Sequence, residues 1–110
     1  MINITDLQQL ETVIETSSAP LLVDFNATWC GPCKILGPIF EAEIDSNTAV
    51  VGATADVDKV VGCAEKYSIR GIPTMILFEN GKEVGRLTGA VTAPKLKNWL
   101  QIKTEKPIDI

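Results

Sequence analysis

Residues 21–34 read Leu21-Leu22-Val23-Asp24-Phe25-Asn26-Ala27-Thr28-Trp29-Cys30-Gly31-Pro32-Cys33-Lys34, and this stretch decides the fold. Leu21 to Phe25 is a short, nearly continuous apolar run, the pattern of a strand buried on both faces. A short polar turn follows, and then a helix that begins after Cys30. Its apolar stripe is Ile35, Leu36, Ile39 and Phe40. Pro38 lies inside that helix and is expected to kink it, because proline lacks an N–H and crowds the preceding turn.

Upstream, Ile2 to Ile4 reads as a short strand. Thr5 followed by Gln8 has the pattern of a capping box, and Leu7, Leu10, Val13 and Ile14 fall on one helical face that stops near residues 16–18. Downstream, Ala49 to Val57 reads as a strand. Asp58 is then placed to cap a third helix with Val60, Val61, Ala64 and Tyr67 turned inward. Thr74 to Phe78 and Lys82 to Leu87 are strands joined by Asn80-Gly81, a strong short hairpin signal because a type I′ turn needs positive φ at both central positions. Thr92 and Pro94 open a last helix bearing Leu96, Trp99 and Leu100 on one side. The order β-α-β-α-β-α-β-β-α predicts an α/β fold, a mixed central sheet of about five strands flanked by four helices.

The chain has 110 residues, enough for one domain with an ordinary core, and from about residue 102 it reads as a loose polar tail. Its net charge of −4 disfavours a nucleic-acid partner or an anionic membrane surface. No apolar stretch is long enough to span a bilayer, and the N-terminal residues do not have the pattern of a signal peptide. Three cysteines, Cys30, Cys33 and Cys63, are too few and too odd a count for a secreted disulfide framework. A reducing cytoplasm is the expected compartment, and there a close cysteine pair reads as redox or metal chemistry.

Cys30 and Cys33 stand one helical turn apart, close enough to form a disulfide. Cys30 falls where the helix begins, and free N–H groups with the positive end of the helix dipole favour a thiolate there. The thiolate is the attacking species in disulfide exchange, so Cys30 is the candidate nucleophile and the more shielded Cys33 the resolving thiol. Pro32 suits the first turn. The pair is also open to two other readings, a structural disulfide or half a zinc site. A reducing compartment opposes the first, and the absence of histidine opposes the second.

Asp24, six residues before Cys30, stands amid apolar neighbours. Buried, its carboxyl has a raised pKa and is able to exchange a proton with Cys33; on an edge strand it is simply solvated. Pro73, after Ile72, belongs at a strand start because it cannot donate to a ladder. Cys63 reads as a buried inert thiol, with a regulatory thiol as the alternative. Trp99 reads as core, and Trp29 as a surface aromatic beside the thiols. Glu79, Lys82, Glu83 and Arg86 read as a solvated hairpin face.

Val23-Asp24-Phe25, Trp29-Cys30-Gly31-Pro32-Cys33-Lys34, Pro38, Ile69-Arg70-Gly71-Ile72-Pro73-Thr74 and Asn80-Gly81 together resemble a thioredoxin in order and spacing, from about Ile2 to Leu100. The resemblance implies the thioredoxin fold and a thiol–disulfide oxidoreductase of the reducing branch, with Cys30 attacking and Cys33 resolving. It implies Asp24 as the buried acid–base group and Pro73 as a cis-proline facing the cysteines. Ile72 is then the backbone partner of an extended substrate segment. Trp29, Gly31, Pro32, Gly89 and Ala90 line the contact surface. It further implies no bound cofactor, a thioredoxin reductase as electron donor, disulfide-containing substrate proteins and a monomer. A rival expectation is a non-catalytic binding module that docks a partner through the same surface. Two departures stand out. Asn26 occupies a position where many thioredoxins carry an aromatic residue, and Thr54 one where many carry a lysine near the buried aspartate. Without that cation, Asp24 is expected to ionise less readily.

Overall fold

The sheet is ordered by which residues can be buried on two sides. In the computed structural model, which describes residues 1–105, the elements run β1 (Ile2–Asn3), α1 (Leu7–Thr16), β2 (Leu21–Asn26), α2 (Gly31–Ser46), β3 (Val51–Asp56), α3 (Cys63–Lys66), β4 (Thr74–Glu79), β5 (Lys82–Thr88) and α4 (Ala93–Thr104). The strand order is β1-β3-β2-β4-β5. The β2 strand is therefore central, parallel to β3 and antiparallel to β4. Its residues Leu21 to Phe25 are all buried, as the unbroken apolar run requires.

Side chains alternate across the sheet. Val23 and Phe25 join Ile76 and Phe78 in one core, closed by Leu10 and Ile14 of α1 and Cys63 of α3. Tyr67 packs between the rings of Phe25 and Phe78, at centroid distances of 5.9 and 5.7 Å. On the other face Leu22, Met75 and Leu77 meet Leu36 and Phe40 of α2 and Leu96 and Leu100 of α4. Each fully buried side chain of this size contributes about 1.5–3 kcal/mol. Asp24 falls on this second face, under α2.

Most elements fall where the sequence places them, and five local readings are corrected. The α1 cap is Asp6, whose carboxylate accepts the Gln9 N–H at 2.8 Å while the Gln9 side chain accepts the Thr5 N–H at 2.7 Å. The reciprocal arrangement is present, one residue later than the Thr5–Gln8 pairing. The third helix is a single turn that starts at Cys63, after a left-handed Gly62. Turns occupy the preceding residues, leaving Val61 79% exposed rather than inward. In α2, Ile35 is 65% exposed, and of the expected stripe Leu36, Ile39 and Phe40 serve the core. Pro38 lies within that helix as expected, on its exposed side.

The hairpin face is not merely solvated. The Arg86 guanidinium pairs with Glu83 and donates to the carbonyls of Tyr67 (2.9 Å) and Ser68 (3.2 Å), fastening β5 to the loop after α3. Finally, α4 continues to Thr104, whose hydroxyl donates to the Leu100 carbonyl. The polar tail expected from about residue 102 thus begins as helix, and residues 106–110 lie outside the described residues.

The hairpin turn takes its expected form, with positive φ at Asn80 (53°) and Gly81 (80°). Gly52 marks a close approach, since a Cβ there would sit 2.7 Å from Ile44 Cγ1 and 2.8 Å from Cγ2. Both atoms are bonded to the branched Cβ of Ile44, whose stiff χ1 leaves them little room to turn away. Gly52→Ala is expected to lower stability by about 1–3 kcal/mol, read as a lower denaturant midpoint with unchanged slope; an unchanged midpoint would show that α2 shifts freely on the sheet.

Candidate functional site

The end of the central strand delivers the chain to the thiol pair. After Asn26, Ala27 turns the backbone, with the Cys30 N–H donating to the Ala27 carbonyl at 3.2 Å. Cys30 is the N-cap of α2, in extended conformation, and its sulfur accepts the Cys33 N–H at 3.2 Å. A sulfur thus takes the place that a Ser or Asp oxygen fills at other helix starts. Gly31 and Pro32 follow in the first turn, both exposed, where the missing proline N–H costs little. Cys30 and Cys33 form a disulfide with Cα atoms 5.3 Å apart. Both are buried, and with Ala27 they form a small apolar cluster edged by Val57 and Ile72.

Across from them lies the loop before β4. The Ile72–Pro73 peptide is cis, and the Ile72 carbonyl oxygen stands 3.8 Å from Cys30 Sγ. Pro73 is buried at the start of β4, and its carbonyl accepts the Gly89 N–H at 2.7 Å. That bond sets the β5–α4 loop, where Gly89 has φ 92° and Ala90 is exposed, on the same rim. Trp29 is 68% exposed, yet its indole N–H donates to Asp58 Oδ2 at 2.7 Å. Sequence reasoning assigned Asp58 to a helix cap and missed this role. The parallel register ending at Asn26 and Asp56 brings the two loops together, and no local pattern encodes it. A shallow apolar hollow of about 200 Å³ beside Trp29 is lined by Val57, Ile69 and Ile72.

Asp24 lies behind the disulfide. It is 3% exposed, on the central strand rather than an edge, which removes the solvated alternative. Its Oδ1 is buried without a hydrogen-bond partner among the described residues, and Oδ2 is 3.4 Å from the Asn26 amide. Burial pushes its pKa up from 3.8 to about 6, the Asn26 amide opposing that rise. Asp24 and Cys33 line one cleft of about 180 Å³ with Asn26, Lys34, Phe40 and Thr54. A carboxyl whose pKa is raised to about 6 and one sulfur of the pair therefore line the same open cleft. Cys63 is fully buried in the other core, where burial raises its pKa, and is remote from this cleft's lining.

The family model described as Thioredoxin matches residues 1–102. The thioredoxin of Mycoplasmoides gallisepticum is 39% identical over 101 residues, covering 92% of this chain and 100% of the relative. That of Buchnera aphidicola is 39% identical over 103 residues, covering 93% and 94%. A solved structure of Plasmodium falciparum thioredoxin superposes with a TM-score of 0.86 at 32% identity, covering 93% of this chain and 98% of that one.

An acid whose pKa is higher folded than unfolded binds its proton more tightly in the folded state. The stabilisation from Asp24 is complete below 3.8 and is lost as pH rises through about 6. The difference corresponds to about 3 kcal/mol. Asp24→Asn is expected to be more stable than the parent protein at pH 7 by a few kcal/mol, with the gap closing towards pH 4. Denaturant titrations across that range measure it, and a gap independent of pH would contradict the assigned ionisation.

Proposed function

The chain belongs to the thioredoxin family, and from that premise we propose that it is a protein-disulfide reductase in which Cys30 attacks and Cys33 resolves. Thiol–disulfide exchange at this pair is the shared chemistry, and the two sulfurs are already joined in the structure. The division of labour rests on one observation, the hydrogen bond from the Cys33 N–H to Cys30 Sγ at the start of α2. In the dithiol form the same donor and the helix dipole stabilise negative charge on that sulfur.

The Cys30 thiolate attacks one sulfur of a substrate disulfide, forming a mixed disulfide and releasing the other as thiolate. The Cys33 thiol passes its proton to Asp24, and its sulfur attacks Cys30 Sγ. The bond between Cys30 and the substrate breaks, and the second substrate thiolate leaves. The substrate gains two electrons, and the protein retains the Cys30–Cys33 disulfide. Two thiols carry both electrons, so the step calls for no bound cofactor.

An extended substrate segment pairs with the backbone of Ile72, beside the buried Pro73, which presents no N–H of its own. Trp29, Gly31, Pro32, Gly89 and Ala90 form the rim against which it rests. The reading further comprises a monomer working in the cytoplasm, where reducing conditions suit an open dithiol. It draws its electrons from a thioredoxin reductase. No helix among the described residues is long and apolar enough to cross a membrane.

Reduction of insulin driven by a small dithiol tests the reading. The parent protein is expected to accelerate it, and Cys30→Ser to fall to the rate of the dithiol alone. Cys33→Ser should accumulate a mixed disulfide with substrate, visible as an added mass. A parent protein no faster than Cys30→Ser would turn the reading towards a docking module.

A further inference from the structure

Asp24 and Asn26 are two residues apart on β2, so they face the same side of the sheet. Thr54 is the register partner of Asp24 on β3. The three side chains form one row under α2. The Asn26 amide nitrogen donates to Thr54 Oγ1 at 2.7 Å. It also lies 3.2 Å from the Asp24 carbonyl and 3.4 Å from Asp24 Oδ2. The short bond to Thr54 anchors the amide, and its second hydrogen is shared between the Asp24 carbonyl and Oδ2. With Oδ2 facing that donor, the partnerless Oδ1 is the oxygen left to take a proton.

The charged groups around this row are few. Lys34 and Glu41 of α2 line the cleft, as does Met1. None of them bonds or pairs with Asp24 among the described residues. Thr54 and Met75, the neighbours of Asp24 on the adjoining strands, are neutral. Among the described residues, the only side chain that donates to the carboxylate is a neutral amide.

We propose that Asn26, braced by Thr54, is a positioning residue for the proton step: it orients the Asp24 carboxylate and steadies its charged form with a neutral donor. The proposal rests on the reading of Asp24 as proton acceptor for Cys33. A neutral donor holds the ionised carboxylate less firmly than a cation does, so the proton taken from Cys33 stays exchangeable near neutral pH. The cleft that Asn26 borders gives that proton its way out.

The test uses the full chain and two readouts. Carboxyl NMR follows the Asp24 titration in the parent protein, Asn26→Leu, Thr54→Val and Thr54→Ser. Release of thionitrobenzoate from its mixed disulfide with Cys30 follows the attack by Cys33 across the same pH range. Asn26→Leu is expected to raise the Asp24 midpoint by about one pH unit, the worth of one hydrogen bond to a charged group. Release is then about tenfold slower below both midpoints, because the ionised fraction falls by that factor. Thr54→Val should move the midpoint in the same direction by less, and Thr54→Ser should restore it. An Asp24 midpoint unmoved in Asn26→Leu overturns the proposal, whatever happens to the melting temperature. Should that variant fail to fold, an unmoved midpoint in Thr54→Val overturns it instead. An Asp24→Asn protein whose release profile matches the parent's would defeat the acceptor reading alone, with the NMR midpoints still judging Asn26.

Discussion

The hydrogen-bonded pairing of β2 on both of its edges is the constraint on which the site depends. Held by β3 on one side and β4 on the other, the strand has neither freedom to slide nor an exposed edge. A slip of one residue would drive Leu22 and Asp24 into the core now filled by Val23 and Phe25. The same pairing fixes where the strand ends, and so where Cys30 meets the first turn of α2. It also aligns three loops at one end of the sheet: residues 27–30, the turns after Asp56, and the segment before Thr74. The disulfide, the Trp29–Asp58 bond and the Ile72 carbonyl all lie at that end.

The two faces of β2 carry different burdens. One is wholly apolar and closed by α1 and α3. The other begins with Leu22 in the core and becomes polar at Asp24 and Asn26 as it nears the thiols. A carboxyl oxygen buried without a partner costs about 1–3 kcal/mol, or more when charged. The apolar face and the helices above it offset that cost, and it is confined to the end of the strand nearest the thiol pair. Stability and chemistry are thus divided between alternate residues of one strand.

Much of this was legible in the sequence, because the governing signals are local. The apolar run of Leu21 to Phe25 required a doubly covered strand, Asn80-Gly81 a tight hairpin, and the Cys30–Cys33 spacing a pair on one helical turn. What escaped notice depends on register or on small differences of reach. Thr5 and Asp6 both suit an N-cap, and only the finished backbone gives the position to Asp6. Asp58 looks like a cap until β2 and β3 are aligned and its carboxylate meets the Trp29 indole. Arg86 reads as a surface charge until the loop at Tyr67 comes within its grasp. Asn26 and Thr54 stand out in the sequence as separate departures, and only the β2–β3 register joins them by a hydrogen bond. Ile35 and Val61 obey the apolar pattern but protrude beyond the elements that could cover them.

The bond between Trp29 and Asp58 has an optical consequence. The chain has two tryptophans, and Trp99 of α4 packs half-buried against the core beside β5. With asparagine rather than an aromatic side chain at position 26, Trp29 is the one indole next to the thiol pair, and it is tethered rather than free to swing. A disulfide accepts an electron from an excited indole, whereas two thiols do so poorly. Emission from this tethered ring is therefore expected to be weaker while the neighbouring sulfurs are joined than when they are two thiols. The protein carries its own gauge of how far it has been reduced.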